Sequence, residues 1–302
     1  MNQLLSVRQV KQTLRSGERQ GFTLIELLIV TALIGVISAI LLTALSRARL
    51  RAQAIVCLNN TRNLVQGWHN ISEDNEGKLA YNVGPDGLTP NQLASIGEDP
   101  DSANWVNNKN VLDWELTEAN TNLAYVMGKS ALGPYVGNPN VYRCPADNVL
   151  SGLQLGAQWE NRNRSYSINA MVGDAGLVSA SGQNSDNPGY QQYFKYTSIQ
   201  QPAEIFVFLD EHPDSIKDGY FLNAANPNER NLRGRWQSLP ANYHNGASAM
   251  AFADLHCELH RWVCGSTLRP NRPGGAGLPL AIPSTEQEDF RWIMKHSSER
   301  SY

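Results

Sequence analysis

Polarity divides this chain into three zones. Residues 1–20 are polar and basic. Residues 22–45 are an apolar run with a single charge, Glu26. Beyond residue 45, short apolar stretches alternate with polar loops rich in Asn, Gln, Ser and Gly. At about 1.5 Å rise per residue, the apolar run makes a helix of roughly 36 Å, enough to cross a hydrocarbon core of about 30 Å. Arg8, Lys11, Arg15 and Arg19 against one acid, Glu18, place the leader on the cytoplasmic side by the positive-inside rule. An ordinary secretory signal is the alternative, but its apolar core runs about 7–15 residues and its cleavage follows that core.

The helical pattern does not stop with the apolar run. Residues 46–51 form a basic collar, after which Ala52, Ile55, Val56, Leu64, Val65, Trp68 and Ile71 recur at spacings near three and four. The spacing predicts helix to Asp74, ending before Gly77 and spanning on the order of 80 Å. The outer part of that helix is expected to lay its apolar face on a globular domain. A basic amphipathic segment resting on lipid headgroups is the rival reading. The expected division is a leader at 1–21, a transmembrane helix at 22–45, its soluble continuation at 46–74 and a globular domain at 75–302.

Within that domain, residues 164–170 alternate as a strand, and 205–209 are a short apolar run typical of a buried one. Residues 246–253 and 257–263 read as a hairpin, and 285–296 as a short helix capped by Thr285. Residues 75–130, 173–190 and 265–284 read mainly as loops, with Trp105, Trp114 and Tyr125 as packing anchors. The pattern predicts an α+β fold: a long N-terminal α-helix packed on an antiparallel β-sheet with long loops.

Composition adds limits. Net charge is −3 over 302 residues, a balance that gives no argument for nucleic acid, which would call for a basic face. The roughly 250 residues beyond the membrane segment suffice for a substantial core. Four cysteines, Cys57, Cys144, Cys257 and Cys264, include no C-x-x-C, which weakens a zinc-ribbon reading. Outside the cytoplasm disulfides are permitted, and Cys257–Cys264 is the candidate pair because both lie near the predicted hairpin. Buried free thiols are the alternative.

Glu26 needs a reason, since a carboxylate in a bilayer costs a few kcal/mol. The run Gly21-Phe22-Thr23-Leu24-Ile25-Glu26 resembles the processing site of type IV prepilins and type II secretion pseudopilins. The resemblance implies cleavage between Gly21 and Phe22 and N-methylation of Phe22 by a prepilin peptidase/methyltransferase. Glu26 would then be the fifth mature residue, pairing with the Phe22 amine of another pilin or pseudopilin subunit. Gly21 would let the peptidase approach the backbone closely. The implied location is the cytoplasmic membrane, spanned once, with the N-terminus in the cytoplasm. A carboxylate snorkelling to the interface is the plainer account of Glu26.

A second resemblance spreads along the chain. His244 and Asp254, separated by nine residues, resemble the H-X9-DG module of large pilin-like proteins abundant in Planctomycetes and Verrucomicrobia. Cys57-Leu58-Asn59-Asn60, Arg143-Cys144-Pro145-Ala146-Asp147, residues 165–169 and 208–211 resemble other parts of that family. Leu255 stands where the pattern has Gly, so the hairpin turn is expected to differ in type or to carry strain.

Asp210, Glu211, His212, His244 and Asp254, with His256, have the residue types for a divalent cation, calcium in preference to zinc. The alternative is a network of hydrogen bonds and ion pairs. No G-x-S-x-G, Walker loop or H-E-x-x-H occurs, and no enzyme is expected. Trp236 with Arg233 and Arg235, and Trp262 with Arg261, are candidates for core packing, cation–π contacts or a binding surface. Three functions follow in order: filament subunit, membrane-tethered binding module for secreted protein or polysaccharide, and anchored metal-dependent hydrolase.

Overall fold

The computed structural model describes residues 21–84, 103–107, 112–175, 184, 186–224, 234–274 and 277–300. Helix α1, Leu24–Asp74, runs without a break for 51 residues. It ends where expected. Gly77, at φ 80°, returns its N–H to the carbonyl of Ser72 at 2.7 Å, a glycine-dependent way to satisfy the last turn.

The chain forms two compact units, Met1–Arg47 and Ala48–Tyr302. In the first, every described large apolar side chain is exposed, Phe22 at 82 % and Leu45 at 68 % among them. In the second, the α1 residues Ala54, Cys57, Leu64, Val65, Trp68 and Ile71 are buried. One helix thus carries two surface chemistries, an all-round apolar one and an amphipathic one.

The strands are β1 Tyr166–Asn169, β2 Phe206–Asp210, β3 Tyr220–Phe221, β4 Arg235–Trp236, β5 Ala247–Phe252, β6 Cys257–Arg261 and β7 Leu280–Ala281. Five form a sheet in the order β3-β1-β2-β5-β6, and β4 pairs with β7. The fold is α+β, but the sheet is mixed rather than wholly antiparallel. β1 and β3 pair in parallel, with Ile168 opposite Tyr220. The chain leaving β2 steps past β1 before it reverses, so β3 runs alongside β1 in the same direction. Among the described residues there are also three short α-helices, α2 Gly133–Val136, α3 Gly152–Gly156 and α4 Glu288–Ser297, and four single turns of 3-10 helix. Thr285 does not cap α4. Gln287 sits at the N-cap with no capping bond, its amide donating instead to the carbonyls of Ile282 and Pro283.

Two cores flank the sheet. One joins Cys57, Leu64, Val65, Trp68 and Ile71 of α1 to Tyr166, Ile168, Phe208, Ala249 and Ala251. The other joins Phe290, Ile293 and Met294 of α4 to Phe206, Leu209, Met250 and Phe252. A register irregularity in β2 lies between Phe206 and Phe208. Beyond it the period of two resumes, Phe208 facing the α1 core and Leu209 the α4 core. Trp236 and Trp262 belong to the second core and are fully buried, so they pack rather than form a binding surface. Trp105 is likewise a core residue, while Trp114 lies under the Arg162 guanidinium at 4.6 Å.

The β5–β6 hairpin forms as expected, and Leu255 takes φ 73°, the left-handed conformation that glycine adopts freely. The turn keeps the geometry that favours glycine. Leu255 packs its side chain against the α1 core, which offsets part of the strain.

Candidate functional site

Two places concentrate polar groups in unusual surroundings. The first is the start of α1. The Glu26 N–H donates to Thr23 Oγ1 at 3.3 Å, while the Thr23 N–H and hydroxyl donate to Glu26 Oε2 at 2.9 and 2.7 Å. This reciprocal pair is a capping box, and it supplies orphan donors at the helix start with acceptors. Gly21 sits just before it, exposed, with open space around the position a Cβ would take. Residues 1–20 of the expected leader lie outside the described residues.

The second place is buried beneath α1. Gln53, Cys57 and Asn60 lie on one helix face at spacings of four and three. Gln53 donates to the carbonyl of Pro145 at 3.1 Å, and Asn60 to that of Arg143 at 2.9 Å. Those bonds hold the segment carrying Cys144 against α1. Asp210 closes β2 on the same face as Phe208, and His244 stands in the turn before β5. Cys57, Cys144, Asp210 and His244 bring one ligand atom each within 4.8 Å of one another, and all four residues are buried.

The contacts are direct. Cys144 Sγ lies 3.3 Å from His244 Nε2, and the same Nε2 lies 3.4 Å from Asp210 Oδ2. The Cys57 thiol donates to Asp210 Oδ1 at 3.2 Å and lies 2.9 Å from the Tyr166 hydroxyl. The Ala249 N–H donates to Asp210 Oδ2 at 3.0 Å. Burial pulls the His244 imidazole down, but its bonds to Asp210 and Cys144 outweigh that and raise it to about 10. A nucleophile–histidine–acid triad gives each partner its own ring nitrogen. Here one nitrogen faces both thiol and carboxylate, so the four groups converge on a common point instead of forming a relay.

The expected cation cluster does not assemble. Asp210 and His244 meet, but the other three do not join them: Glu211 faces the opposite side from Asp210, His212 lies past the end of β2, and Asp254 stands in the turn at the far end of β5 from His244. Glu211 accepts a bond from the Ser215 hydroxyl at 2.8 Å. His212 Nδ1 accepts from the Asp214 N–H at 3.2 Å. Asp254 Oδ1 accepts from the His256 N–H at 3.1 Å, bracing the hairpin turn. Calcium takes about 6–8 oxygen ligands, whereas the observed group offers one carboxylate among two thiols and an imidazole. Cys57 and Cys144 escaped the sequence argument for a site. The only signal was their presence in segments with family-like wording.

The Cys257–Cys264 disulfide is also absent: all four cysteines are free thiols. Cys257 opens β6 and Cys264 lies three residues past its end. Cys257 packs against the α1 core, whereas Cys264 is held at α4, its N–H donating to Asp289 Oδ2 at 2.9 Å.

Burial pushes the Glu211 carboxyl up to about 7, with Asp218 adding to the rise and hydrogen bonds from Ser167 and Ser215 opposing it. Between the ordinary carboxyl value near 4.5 and about 7, the folded chain holds a proton that the unfolded chain releases. Stability therefore falls as pH rises through that window, by up to about 1.4 kcal/mol per pH unit. Glu211→Gln is expected to flatten this slope in thermal melts between pH 5 and pH 8.

The polar start of an otherwise bare apolar helix is the observation that matters for identity. Residues 18–42 match the prokaryotic N-terminal methylation motif. The chain thus carries a prepilin-type N-terminal methylation motif. No curated protein and no solved structure matches the chain. The methylation motif lies over the start of α1, which among the described residues is the helix long and apolar enough to cross a membrane. That placement fits a membrane-anchored precursor whose motif implies a prepilin peptidase and other pilin subunits as partners.

Proposed function

We propose that the chain is a structural subunit, minor or specialised, of a type IV pilus-like or type II secretion pseudopilus filament, and not an enzyme. A prepilin peptidase cuts between Gly21 and Phe22 and methylates the new Phe22 amine. Residues 22–45 hold the chain in the cytoplasmic membrane, N-terminus inside and domain 75–302 outside, until it is drawn into a filament. The observation that carries this reading is a methylation motif laid over a helix whose apolar residues 22–45 are exposed all round, with Glu26 as their only charge. Exposed apolar surface of that extent calls for lipid or for neighbouring copies of the same helix. The H-X9-DG relationship belongs to the same reading. It is supported by the placement of His244 and Asp254 in the turns at either end of β5.

Filaments sheared from cells are expected to contain this chain with its leader removed. Recovery of the chain only in the membrane fraction, at full precursor length, would count against a filament role.

One observation favours the binding-module reading. A surface groove of about 430 Å³ is lined by Leu123, Arg143, Trp159, Glu160, Asn161 and Asn163, among others. An aromatic ring among polar groups suits a sugar face. Trp159→Ala would abolish polysaccharide retention under that reading and would leave filament incorporation unchanged under the first.

A further inference from the structure

We propose that Cys57, Cys144, Asp210 and His244 form a closed structural zinc site that fastens α1 to the sheet. Zinc bonds thiolate at about 2.3 Å and imidazole or carboxylate at about 2.0–2.2 Å in a tetrahedron. Neighbouring ligand atoms of such a tetrahedron stand about 3.3–3.8 Å apart. The side chains lie close to this frame: 3.3 Å from Cys144 Sγ to His244 Nε2, 3.4 Å from that nitrogen to Asp210 Oδ2, 3.2 Å from Cys57 Sγ to Asp210 Oδ1, and all four ligand atoms within 4.8 Å of one another. Two thiols and an imidazole are soft and borderline donors, the type zinc prefers over oxygen-seeking cations.

A Cys57–Cys144 disulfide fits the arrangement less well. It would leave the Asp210 carboxylate and His244 Nε2 aimed at an apolar S–S bond. The two thiols meet each other, and each also has a polar partner of its own, Asp210 for Cys57 and His244 for Cys144. The surroundings also orient the donors. The Tyr166 hydroxyl lies against Cys57 Sγ at 2.9 Å, and the Ala249 N–H donates to Asp210. Outer-shell groups of this kind fix ligand direction. Four protein donors fill a tetrahedral shell and leave no position for substrate, which assigns the ion a structural role. The site would join α1, the segment around Cys144, the end of β2 and the turn before β5. It stands on this geometry alone and does not depend on the filament reading.

The full chain, purified in detergent under reducing conditions, is expected to retain stoichiometric zinc. Cobalt in its place should show thiolate-to-cobalt charge-transfer absorption. Cys57→Ser and Cys144→Ser should each weaken zinc binding at least hundredfold, and Tyr166→Phe about tenfold. Cys264→Ser, remote from the group, should leave it unchanged. Should a serine variant fail to fold, the cobalt spectrum of the unaltered chain decides. An unaltered chain without that absorption overturns the proposal, as does a Cys57–Cys144 disulfide in chain isolated from cells.

Discussion

Glu26→Gln is expected to leave a chain that is cleaved and inserted but about tenfold to a hundredfold depleted from filaments. Glutamine preserves the capping box with Thr23, because its amide oxygen still accepts from the Thr23 N–H. Only the charge is lost. A hydrogen bond to a charged group is worth about 1.5–3 kcal/mol, and each 1.4 kcal/mol is a factor of ten in an equilibrium. Thr23→Ala makes the complementary change: it removes the Thr23 hydroxyl that accepts from Glu26 and leaves the carboxylate in place. Its expected effect is about 0.5–2 kcal/mol at the helix start, with filament incorporation kept. The readout is the ratio of filament-bound to membrane-bound chain for each variant. Loss in Thr23→Ala with incorporation kept in Glu26→Gln would mean that Glu26 acts through its cap, and the contact with a neighbouring Phe22 amine would be wrong.

The second large effect lies in the other unit. Trp68 is 1 % exposed on α1 and meets Tyr196 edge-on at 6.0 Å between ring centroids. Trp68→Ala is expected to lower the unfolding free energy by about 3–5 kcal/mol, because it removes the buried side chain and leaves a cavity. Against a typical total of about 5–15 kcal/mol this is a large fraction. Leu45→Ala makes the contrast: Leu45 is 68 % exposed in the described structure, and its loss should move the unfolding of the globular unit by no more than about 0.5 kcal/mol. Denaturant unfolding of the full chain in detergent, followed by tryptophan fluorescence, measures both. Similar small effects for the two would mean that the outer part of α1 does not anchor the domain.

How much was legible in the sequence depended on how local the causes were. The apolar run, the single acid and the glycine before it are contiguous, so the motif at 18–42 was readable directly. The continuation to Asp74 was readable because burial at Leu64, Trp68 and Ile71 imprints the helical period. The hairpin was readable too, down to the strain at Leu255. The buried polar group was not. Its members pair across 153 residues (Cys57 with Asp210) and 100 residues (Cys144 with His244). Asp210, Glu211 and His212 looked like one cluster because they adjoin, but strand alternation sends Asp210 and Glu211 to opposite faces. The parallel β1–β3 pair escaped for a similar reason, since it depends on where the chain steps after β2 rather than on any run of residues.

The account rests on the fate of the N-terminus, and peptide mass spectrometry of the chain isolated from membranes or filaments tests it most directly. The chain is predicted to begin at Phe22 and to carry one methyl group on that amine. A chain that keeps residues 1–21, or is cut after residue 40, would contradict it.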